Sequence, residues 1–217
     1  MNFLNRKKPL TLVLGGTGKT GRRVAARLEA MGHDVRIGSR SSVPTFDWDN
    51  EKSWNESLKS VTSVYITYAP DLAMPGAKDA IQAFVDLAKR RGVKRLVLLS
   101  GRGEEEAQAC ERIVVSAGLE WTIVRSSWFN QNFSEGAFVD MVLNRVITLP
   151  AGDQVEPFVD ADDIADVAVA ALTEDHHNGQ VYEVTGPRLM TIADVAADLS
   201  RATGREINYV DVPHEGF

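Results

Sequence analysis

A short segment near the start of the chain has the spacing of a phosphate-binding glycine loop. The sequence LVLGGTGKTGRRV contains Gly16, Gly18 and Gly21 in the pattern Gly-x-Gly-x-x-Gly. The segment follows a predicted strand at residues 10–14 and opens a predicted helix at residues 19–31, which is the context that gives this pattern its meaning. In that context the early glycines permit a tight turn, Gly18 lets a pyrophosphate approach the backbone, and Gly21 lets the helix press against the strand.

We therefore expect the pyrophosphate of a nicotinamide dinucleotide to bind at the N-terminus of this helix, where free N–H groups and a partial positive charge favour anions. A plain glycine turn between strand and helix is the alternative. A nucleoside triphosphate P-loop is rejected, because that motif needs a glycine five residues before Gly18 and the residue there is Val13. The residues assigned to the cofactor loop are Gly15, Gly16, Thr17, Gly18, Lys19, Thr20 and Gly21.

The segment IGSRSS, at the end of a second predicted strand, indicates which dinucleotide is bound. An acid at this place binds the ribose 2′-hydroxyl of NAD, whereas an arginine accommodates the 2′-phosphate of NADP. Arg40 lies here, and no Asp or Glu stands between Ile37 and Ser42. A guanidinium pairs bidentately with phosphate, and the neighbouring Ser39 adds a hydroxyl. We predict NADP(H) in preference to NAD(H), with an ordinary surface arginine as the alternative.

The rest of the chain supplies the elements that must position these residues. Predicted strands alternate with helices, which favours an α/β fold of the Rossmann-like, doubly wound kind, with a parallel sheet covered on both faces. We expect a dinucleotide-binding core at residues 1–125 and a smaller α/β substrate region at 126–217 that is interleaved with it. A weak strand is predicted at residues 44–47. Ligands of such sheets bind beyond the carboxyl ends of the strands, so the further cofactor residues assigned are Tyr68, Ala69, Pro70, Ser100 and Gly101.

Composition excludes several classes of protein. The 217 residues include 24 Lys and Arg against 30 Asp and Glu, a net charge of −6 that argues against a dedicated nucleic-acid binder. No apolar stretch approaches the length of a transmembrane helix, so no membrane span is expected. The single cysteine, Cys110, predicts a reducing cytoplasm. His176 and His177 are adjacent on a loop without cysteines nearby, so no metal site is predicted, and no oligomeric state is assigned.

Several motifs accompany the glycine loop GGTGKTG: FDWDN, VYITYAP, GLEWTIVRSSWFNQN at 118–132, and PFVDADDIADVAVAAL followed by YEVTGP. On these motifs, and over nearly its whole length, the chain resembles the NmrA-like family of atypical short-chain dehydrogenases/reductases. The resemblance implies an NAD(P)-binding domain and a smaller C-terminal substrate region. Family members include quinone and azo-dye reductases, and proteins that sense the NADP redox state without known turnover.

One feature of typical short-chain dehydrogenases is missing. Their Tyr-x-x-x-Lys pair passes a proton to an alcohol oxygen, yet none of the four tyrosines here has a lysine four residues on. When the family pattern is aligned on Glu111, the positions equivalent to this tyrosine and lysine are Gly103 and Ala107, whose side chains cannot transfer a proton. Because losing a positioned acid typically costs about 10²- to 10⁴-fold in rate, we do not expect carbonyl–alcohol chemistry, and no catalytic side chain is assigned.

Hydride transfer needs no protein acid when the acceptor can hold negative charge and take protons from water. We therefore predict a reductase that transfers hydride from NADPH to a small planar acceptor, such as a quinone or an azo compound, with the protein supplying binding and orientation. A catalytically silent NADP(H)-binding regulator that acts through a protein partner is the alternative, and the sequence leaves it open.

A long loop at residues 126–136 is rich in aromatic and amide side chains, and flat apolar acceptors stack well on aromatic rings. The alternative is that these rings cover the edge of the sheet. The chain stops at VDVPHEGF without a closing helix, whereas family members continue, so we expect an open substrate side. The residues assigned to acceptor binding are Trp128, Phe129, Asn130, Asn132 and Phe133.

Overall fold

In the computed structural model, which describes residues 9–213, strands and helices alternate along the chain. The strands are β1 (Leu10–Leu14), β2 (Asp34–Gly38), β3 (Val61–Ile66), β4 (Arg95–Gly101), β5 (Glu120–Ser126), β6 (Val146–Leu149), β7 (Gln180–Val184) and β8 (Asn208–Asp211). The helices are α1 (Lys19–Ala30), α2 (Trp54–Ser57), α3 (Ala77–Arg90), α4 (Glu105–Ser116), α5 (Val139–Leu143), α6 (Ala161–Thr173) and α7 (Ile192–Thr203). The predicted Rossmann-like α/β class is confirmed.

The order of the strands creates a switch point at β1. The main sheet has the order β2-β1-β3-β4-β5-β7, and the pairs β1–β2, β1–β3 and β3–β4 are parallel. The chain therefore leaves β1 toward one side of the sheet and returns on its other side as β3. Ligands of doubly wound sheets bind beyond the carboxyl ends of the strands at such a point, which here is marked by the residues that follow Leu14 and Ile66.

The chain divides into two compact units. Among the described residues, unit 1 comprises 9–125 and 162–183, and unit 2 comprises 126–161 and 184–213. The C-terminal region predicted from the sequence thus contributes α6 and most of β7 to unit 1. In unit 1 a large apolar core includes Trp54 and Phe84, whereas unit 2 has its own core and a parallel pair of strands, β6 and β8.

The strand predicted at residues 44–47 is wrong, because the backbone there is irregular. The Ser42 hydroxyl lies 2.9 Å from the carbonyl oxygens of both Ser39 and Pro44 and donates its one proton to either, and the Phe46 N–H donates to the Ser39 carbonyl. These bonds close a turn that places the Phe46 ring face to face with Trp54 in the core of unit 1. The segment therefore satisfies its polar groups locally and buries an aromatic ring instead of pairing with the sheet.

No helix among the described residues is both long and apolar enough to cross a membrane. The expectation of an open substrate side depended partly on the last residues of the chain, and 214–217 lie outside the described range.

Two helices of unit 1 are joined by ion pairs. Arg23 donates from Nε to Asp162 Oδ2 at 2.9 Å, and Arg27 donates from Nη2 to Asp162 Oδ1 at 2.8 Å. The hydrogen bonds from Arg27 and then Arg23 hold the pKa of the Asp162 carboxyl below its usual value. Asp162 thereby fixes the first turn of α6 against α1, the helix that follows the glycine loop.

Replacing Asp162 tests this attachment and its pH dependence. Because its folded pKa is lowered, the stabilisation is present above the unfolded pKa and is lost as pH falls through the folded pKa. Asp162 is half exposed, so Asp162→Ala should lower the free energy of unfolding by only about 1 kcal/mol at pH 7. In urea denaturation the difference should shrink as the pH falls below about 5 and should vanish once the pH lies below the lowered pKa of Asp162. Asp163→Ala, in the same helical turn, is the control. An equal loss of stability in that variant would mean that Asp162 acts only through the helix dipole and not through its ion pairs.

Candidate functional site

The turn after β1 contains a glycine that no other residue can replace without strain. Gly15 has a φ of +61°, in the left-handed region that favours glycine, and a Cβ there would overlap the Oγ1 atom of Thr67. That hydroxyl donates to the Leu14 carbonyl at 3.1 Å, joining the ends of β3 and β1. The sequence motif therefore corresponds to a real packing constraint at the switch point of the sheet.

Gly21 fixes the approach of α1 to this turn. A Cβ at Gly21 would overlap the Gly15 carbonyl oxygen and would lie 3.0 Å from the Cα of Gly16. Gly18 differs, since a Cβ there would meet only the Gly15 carbonyl oxygen, at 3.1 Å. The turn is closed by the Gly18 N–H, which donates to the same carbonyl at 2.8 Å.

The first turn of α1 is open to an anion. Gly18 is the N-terminal cap, and among the described residues no side chain caps the helix and no acid lies in its first turn. Helix N-termini attract phosphates through their free N–H groups and partial positive charge. In this loop Thr17 and Gly18 are exposed, Lys19 is partly buried and Thr20 is buried. The open end of the helix therefore suits a pyrophosphate.

Arg40 projects from a tight turn directly after β2. The Ser39 N–H donates to Ser42 Oγ at 3.0 Å, and the hydroxyls of Ser39 and Ser41 are 3.2 Å apart. Arg40 itself is exposed, and its guanidinium has no hydrogen-bond or ion-pair partner within residues 9–213. The structure thus holds an uncompensated positive charge beyond the carboxyl end of a strand that neighbours β1.

The loop after β3 presents a packed tyrosine and two exposed residues. Tyr68 packs on Trp48 with ring centroids 5.0 Å apart, and the Trp48 indole N–H donates to the Thr67 carbonyl at 3.0 Å. Burial raises the pKa of the Tyr68 phenol, and the nearby Asp49 adds to the shift. Ala69 and Pro70, which follow, are exposed beyond the strand end. The loop is therefore anchored at its start and free at its tip.

Ser100 is tied into a charged network that sequence reasoning did not find. Its hydroxyl is buried and donates to Glu111 Oε1 at 2.7 Å. Arg125, on β5, pairs bidentately with the same carboxylate at 2.8 and 2.6 Å. Glu111 is only 4% exposed, so its charge depends on these two partners. The sequence did contain a signal for this network. Glu111 lies on the same face of α4 as a buried alanine and a buried cysteine, where a charged side chain needs partners.

Glu104 lies against the end of β4. Its carboxylate occupies the space that a side chain at Gly101 would fill. Burial raises the pKa of the Glu104 carboxyl, with further contributions from Asp71 and Glu106. The structure therefore places a half-buried carboxyl directly on the predicted cofactor residue Gly101.

In unit 2 the aromatic loop forms a cluster of rings. Trp128 is 47% exposed and stacks on Phe138 at a centroid distance of 5.8 Å. Phe133 is buried in the core of unit 2, where it packs against Phe138 and Phe158. Phe133 is therefore enclosed, whereas Trp128 offers a ring face at the surface of this unit.

Backbone bonds hold the same loop in place and leave two amides free. The N–H of Asn130 donates to the Val159 carbonyl at 2.8 Å, and that of Asn132 donates to the Phe129 carbonyl at 3.0 Å. Phe129 is partly buried and Asn130 is exposed. Within the described part of the chain, the side-chain amides of Asn130 and Asn132 have no hydrogen-bond partner, so both are available to a ligand.

Comparisons with known proteins agree with this architecture. The sequence profile of the NmrA-like family matches residues 7–217. Agroclavine dehydrogenase of Claviceps fusiformis is 35% identical over 222 residues, which cover 92% of this chain and 75% of that protein. The NAD(P)H azoreductase of Xenophilus azovorans is 29% identical over 231 residues, covering 95% of this chain and 78% of that protein.

A solved structure is similar in fold. The NADPH-dependent quinone oxidoreductase of Escherichia coli, crystallised with NADPH, superimposes with a TM-score of 0.72 and 22% sequence identity. The match covers 96% of this chain and 80% of that chain. At this identity the likeness supports the fold alone.

The different surroundings of Gly21 and Gly18 give a test of the turn. Gly21→Ala forces a Cβ into backbone atoms and should lower the free energy of unfolding by about 1–3 kcal/mol, the usual cost of overpacking. Gly18→Ala should cost less than about 1 kcal/mol, the order of a weakened N-cap. Urea denaturation of both variants measures the difference. Equal losses would mean that the turn relaxes and that Gly21 is not required by packing.

Proposed function

Because the chain belongs to the NmrA-like family, we propose that it is a reductase that uses NADPH in preference to NADH and transfers hydride to a quinone-like or azo acceptor. The observation that carries this proposal is the open N-terminus of α1 above a turn that only glycines can form. The named relatives are a dehydrogenase and an azoreductase, which supports the oxidoreductase class. Cys110 is buried and free, which suits a reducing cytoplasm.

The residues present fit a nicotinamide dinucleotide phosphate. Thr17 and Gly18 are exposed at the uncapped end of α1, which supports a pyrophosphate there. Arg40 would hold the 2′-phosphate, because its charge has no other partner among the described residues and a guanidinium pairs bidentately with phosphate. Tyr68, Ala69 and Pro70 follow β3, whereas Ser100 and Gly101 are the last two residues of β4. These residues would line the ribose and nicotinamide. Such a cofactor supplies the hydride.

Tyrosines of this chain are poorly suited to act as proton donors. Tyr65 is fully buried beside Thr20, and burial raises the pKa of its phenol. The Tyr182 hydroxyl bonds to His177 at 2.7 Å, and the Tyr209 hydroxyl donates to the Leu149 carbonyl at 3.0 Å. Tyr68 alone follows a strand end of unit 1. An acceptor whose reduced anion is stabilised and takes its proton from water fits this arrangement.

The acceptor is proposed to bind on the loop after β5. Trp128 and Phe129 would supply a stacking face for a planar molecule, and the free amides of Asn130 and Asn132 would hydrogen-bond its carbonyl or azo nitrogen. Phe133, although included in the sequence prediction, would act from the core by supporting Phe138. This division matches the usual composition of ligand sites, which combine apolar rings with a few placed polar groups.

Cofactor preference is tested at Arg40. Arg40→Asp removes a charge-assisted pair and should weaken NADPH binding by about 1.5–3 kcal/mol, roughly 10- to 150-fold in Kd, while NADH binding changes little. Fluorescence titration with both cofactors measures this. Arg112→Asp, an exposed arginine on α4, makes the same change in net charge and should leave both affinities unaltered. Equal affinity of the unmutated protein for the two cofactors would contradict the assignment.

Turnover is tested by steady-state NADPH oxidation with a panel of quinones, azo dyes and enones. We expect activity on quinones or azo compounds, and Tyr68→Phe should keep kcat within about tenfold, below the range expected for loss of a general acid. Tyr65→Phe is the matched control for removing a phenol from a buried site. A thousandfold loss in Tyr68→Phe with intact NADPH binding would identify a proton donor. Absence of turnover with every acceptor would favour the regulatory alternative.

A further inference from the structure

A cluster of metal-ligating side chains lies at the end of α6, separate from the cofactor loops. Glu174 precedes a single 3₁₀ turn, Asp175–His177, and its Oε2 atom is 3.5 Å from Nε2 of His176 and 3.5 Å from Nε2 of His177. The two imidazole rings have centroids 4.0 Å apart. One ligand atom from each of the three residues lies within 4.8 Å of the other two.

Two of these distances, those between the carboxylate and each imidazole, match the edges of a tetrahedral zinc site. Zinc binds histidine nitrogen and carboxylate oxygen at about 2.0–2.2 Å, so two such ligands at a tetrahedral angle lie roughly 3.3–3.5 Å apart. Both carboxylate–imidazole distances are 3.5 Å. Two imidazole nitrogens and one carboxylate are also the ligand set of several three-ligand zinc sites, in which water takes the fourth position. The ligands therefore need little rearrangement to enclose an ion.

The turn that carries the ligands is anchored to β5. The Thr122 hydroxyl donates to the His177 carbonyl at 2.8 Å, and the Gly179 N–H donates to the Trp121 carbonyl at 2.8 Å. The Trp121 N–H donates to the Asn178 side chain at 3.0 Å. These bonds fix the backbone against β5, so the side chains of this exposed turn are presented from a rigid base.

His177 is also oriented in the manner of a metal ligand. Its Nδ1 atom is 2.7 Å from the Tyr182 hydroxyl, and its side chain is only 17% exposed. In metal sites the second ring nitrogen of a histidine usually bonds to a nearby polar group, which fixes the ring and the tautomer. With Nδ1 engaged by Tyr182, the Nε2 atom that faces Glu174 is the one left to bind an ion.

The charges around the cluster permit a cation. Arg95 contacts the same turn, but it pairs with Asp175 at 2.6 Å and with Glu120 at 2.8 Å, so acidic partners surround its charge. Glu174 contributes one negative charge, and neutral imidazoles add the affinity for borderline metals that carboxylates alone lack. This donor set suits Zn²⁺, Ni²⁺ or Cu²⁺ better than Mg²⁺ or Ca²⁺, which prefer oxygen ligands.

We propose that Glu174, His176 and His177 bind one divalent transition-metal ion, with zinc as the reference ion and water completing its coordination. The ion would tie the end of α6 to the turn that leads into β7. A metal that binds only the folded chain raises the melting temperature, so this site would stabilise unit 1. The sequence interpretation set the two histidines aside because no cysteine was near; the third ligand is a glutamate two residues before them.

Zinc binding is tested by isothermal titration calorimetry on the full chain without a histidine tag. We expect one Zn²⁺ per chain with a Kd in the micromolar range, and Co²⁺ in the same site should give the intense visible absorption of tetrahedral coordination. His176→Ala and Glu174→Gln should each weaken zinc binding at least tenfold. The His176 side chain is 71% exposed, so its removal leaves the fold intact, which circular dichroism checks. Zinc should raise Tm by a few degrees in the unmutated chain and not in His176→Ala.

His33→Ala is the matched control, because His33 lies in the turn between α1 and β2 and should contribute nothing to binding. Tyr182→Phe should keep one site but weaken it, as loss of an orienting partner typically costs about 10- to 100-fold in metal affinity. The proposal is overturned if zinc shows no saturable binding below millimolar concentration. It is also overturned if His176→Ala binds zinc as tightly as the unmutated chain.

Discussion

The close approach of α1 to the turn after β1 is the constraint on which the candidate site depends. Gly21 lets the helix start against the Gly15 carbonyl, and Gly15 in turn makes room for the Thr67 hydroxyl from the neighbouring strand. Two strand ends and one helix N-terminus therefore meet within a few residues. The glycines that this packing requires also favour the binding of an anion. Because they have no side chains, the backbone N–H groups at the start of the helix remain accessible to phosphates.

Charged residues hold the surrounding framework in unit 1. Asp162 accepts from Arg23 and Arg27 and so ties α6 to the helix of the glycine turn. Glu111 and Arg125 form a more buried pair that ties α4 to β5. Such a pair is expensive to break, since removing one partner leaves a buried charge without compensation, at a typical cost of about 3–5 kcal/mol. The strand ends that would face a ligand are thus fixed by ion pairs as well as by the apolar core.

Local patterns predicted the elements well and the contacts poorly. The bounds of β1 agree with the strand predicted at residues 10–14, because a short apolar run that ends at a glycine is a local signal. The strand at 44–47 failed because serine hydroxyls closed a turn around Phe46, which competes with sheet pairing. Glu111 was missed because its hydrogen-bond partners come from other elements. Phe133 was assigned to acceptor binding together with Trp128, because only the packing in the structure distinguishes the buried ring from the exposed one. The ligand role proposed for Glu174 was missed because the two histidines were judged by the absence of nearby cysteines and not by nearby carboxylates.

The buried network also bears on the chemistry proposed for this chain. Ser100 lies at the end of β4, where a nicotinamide is proposed to bind, but its hydroxyl donates its proton to Glu111. A hydroxyl whose proton is committed to a carboxylate can accept a hydrogen bond from a cofactor, yet it cannot donate one to a developing oxyanion. Glu104, with its raised pKa, adds negative character at the same strand end when ionised. An ionised Glu104 would favour the positive ring of an oxidised nicotinamide at this strand end and oppose a localised alkoxide, whereas the charge of Glu111 is already balanced by Arg125. In the proposed reaction, an acceptor that spreads its charge over a conjugated system would therefore suit this strand end better than a simple ketone.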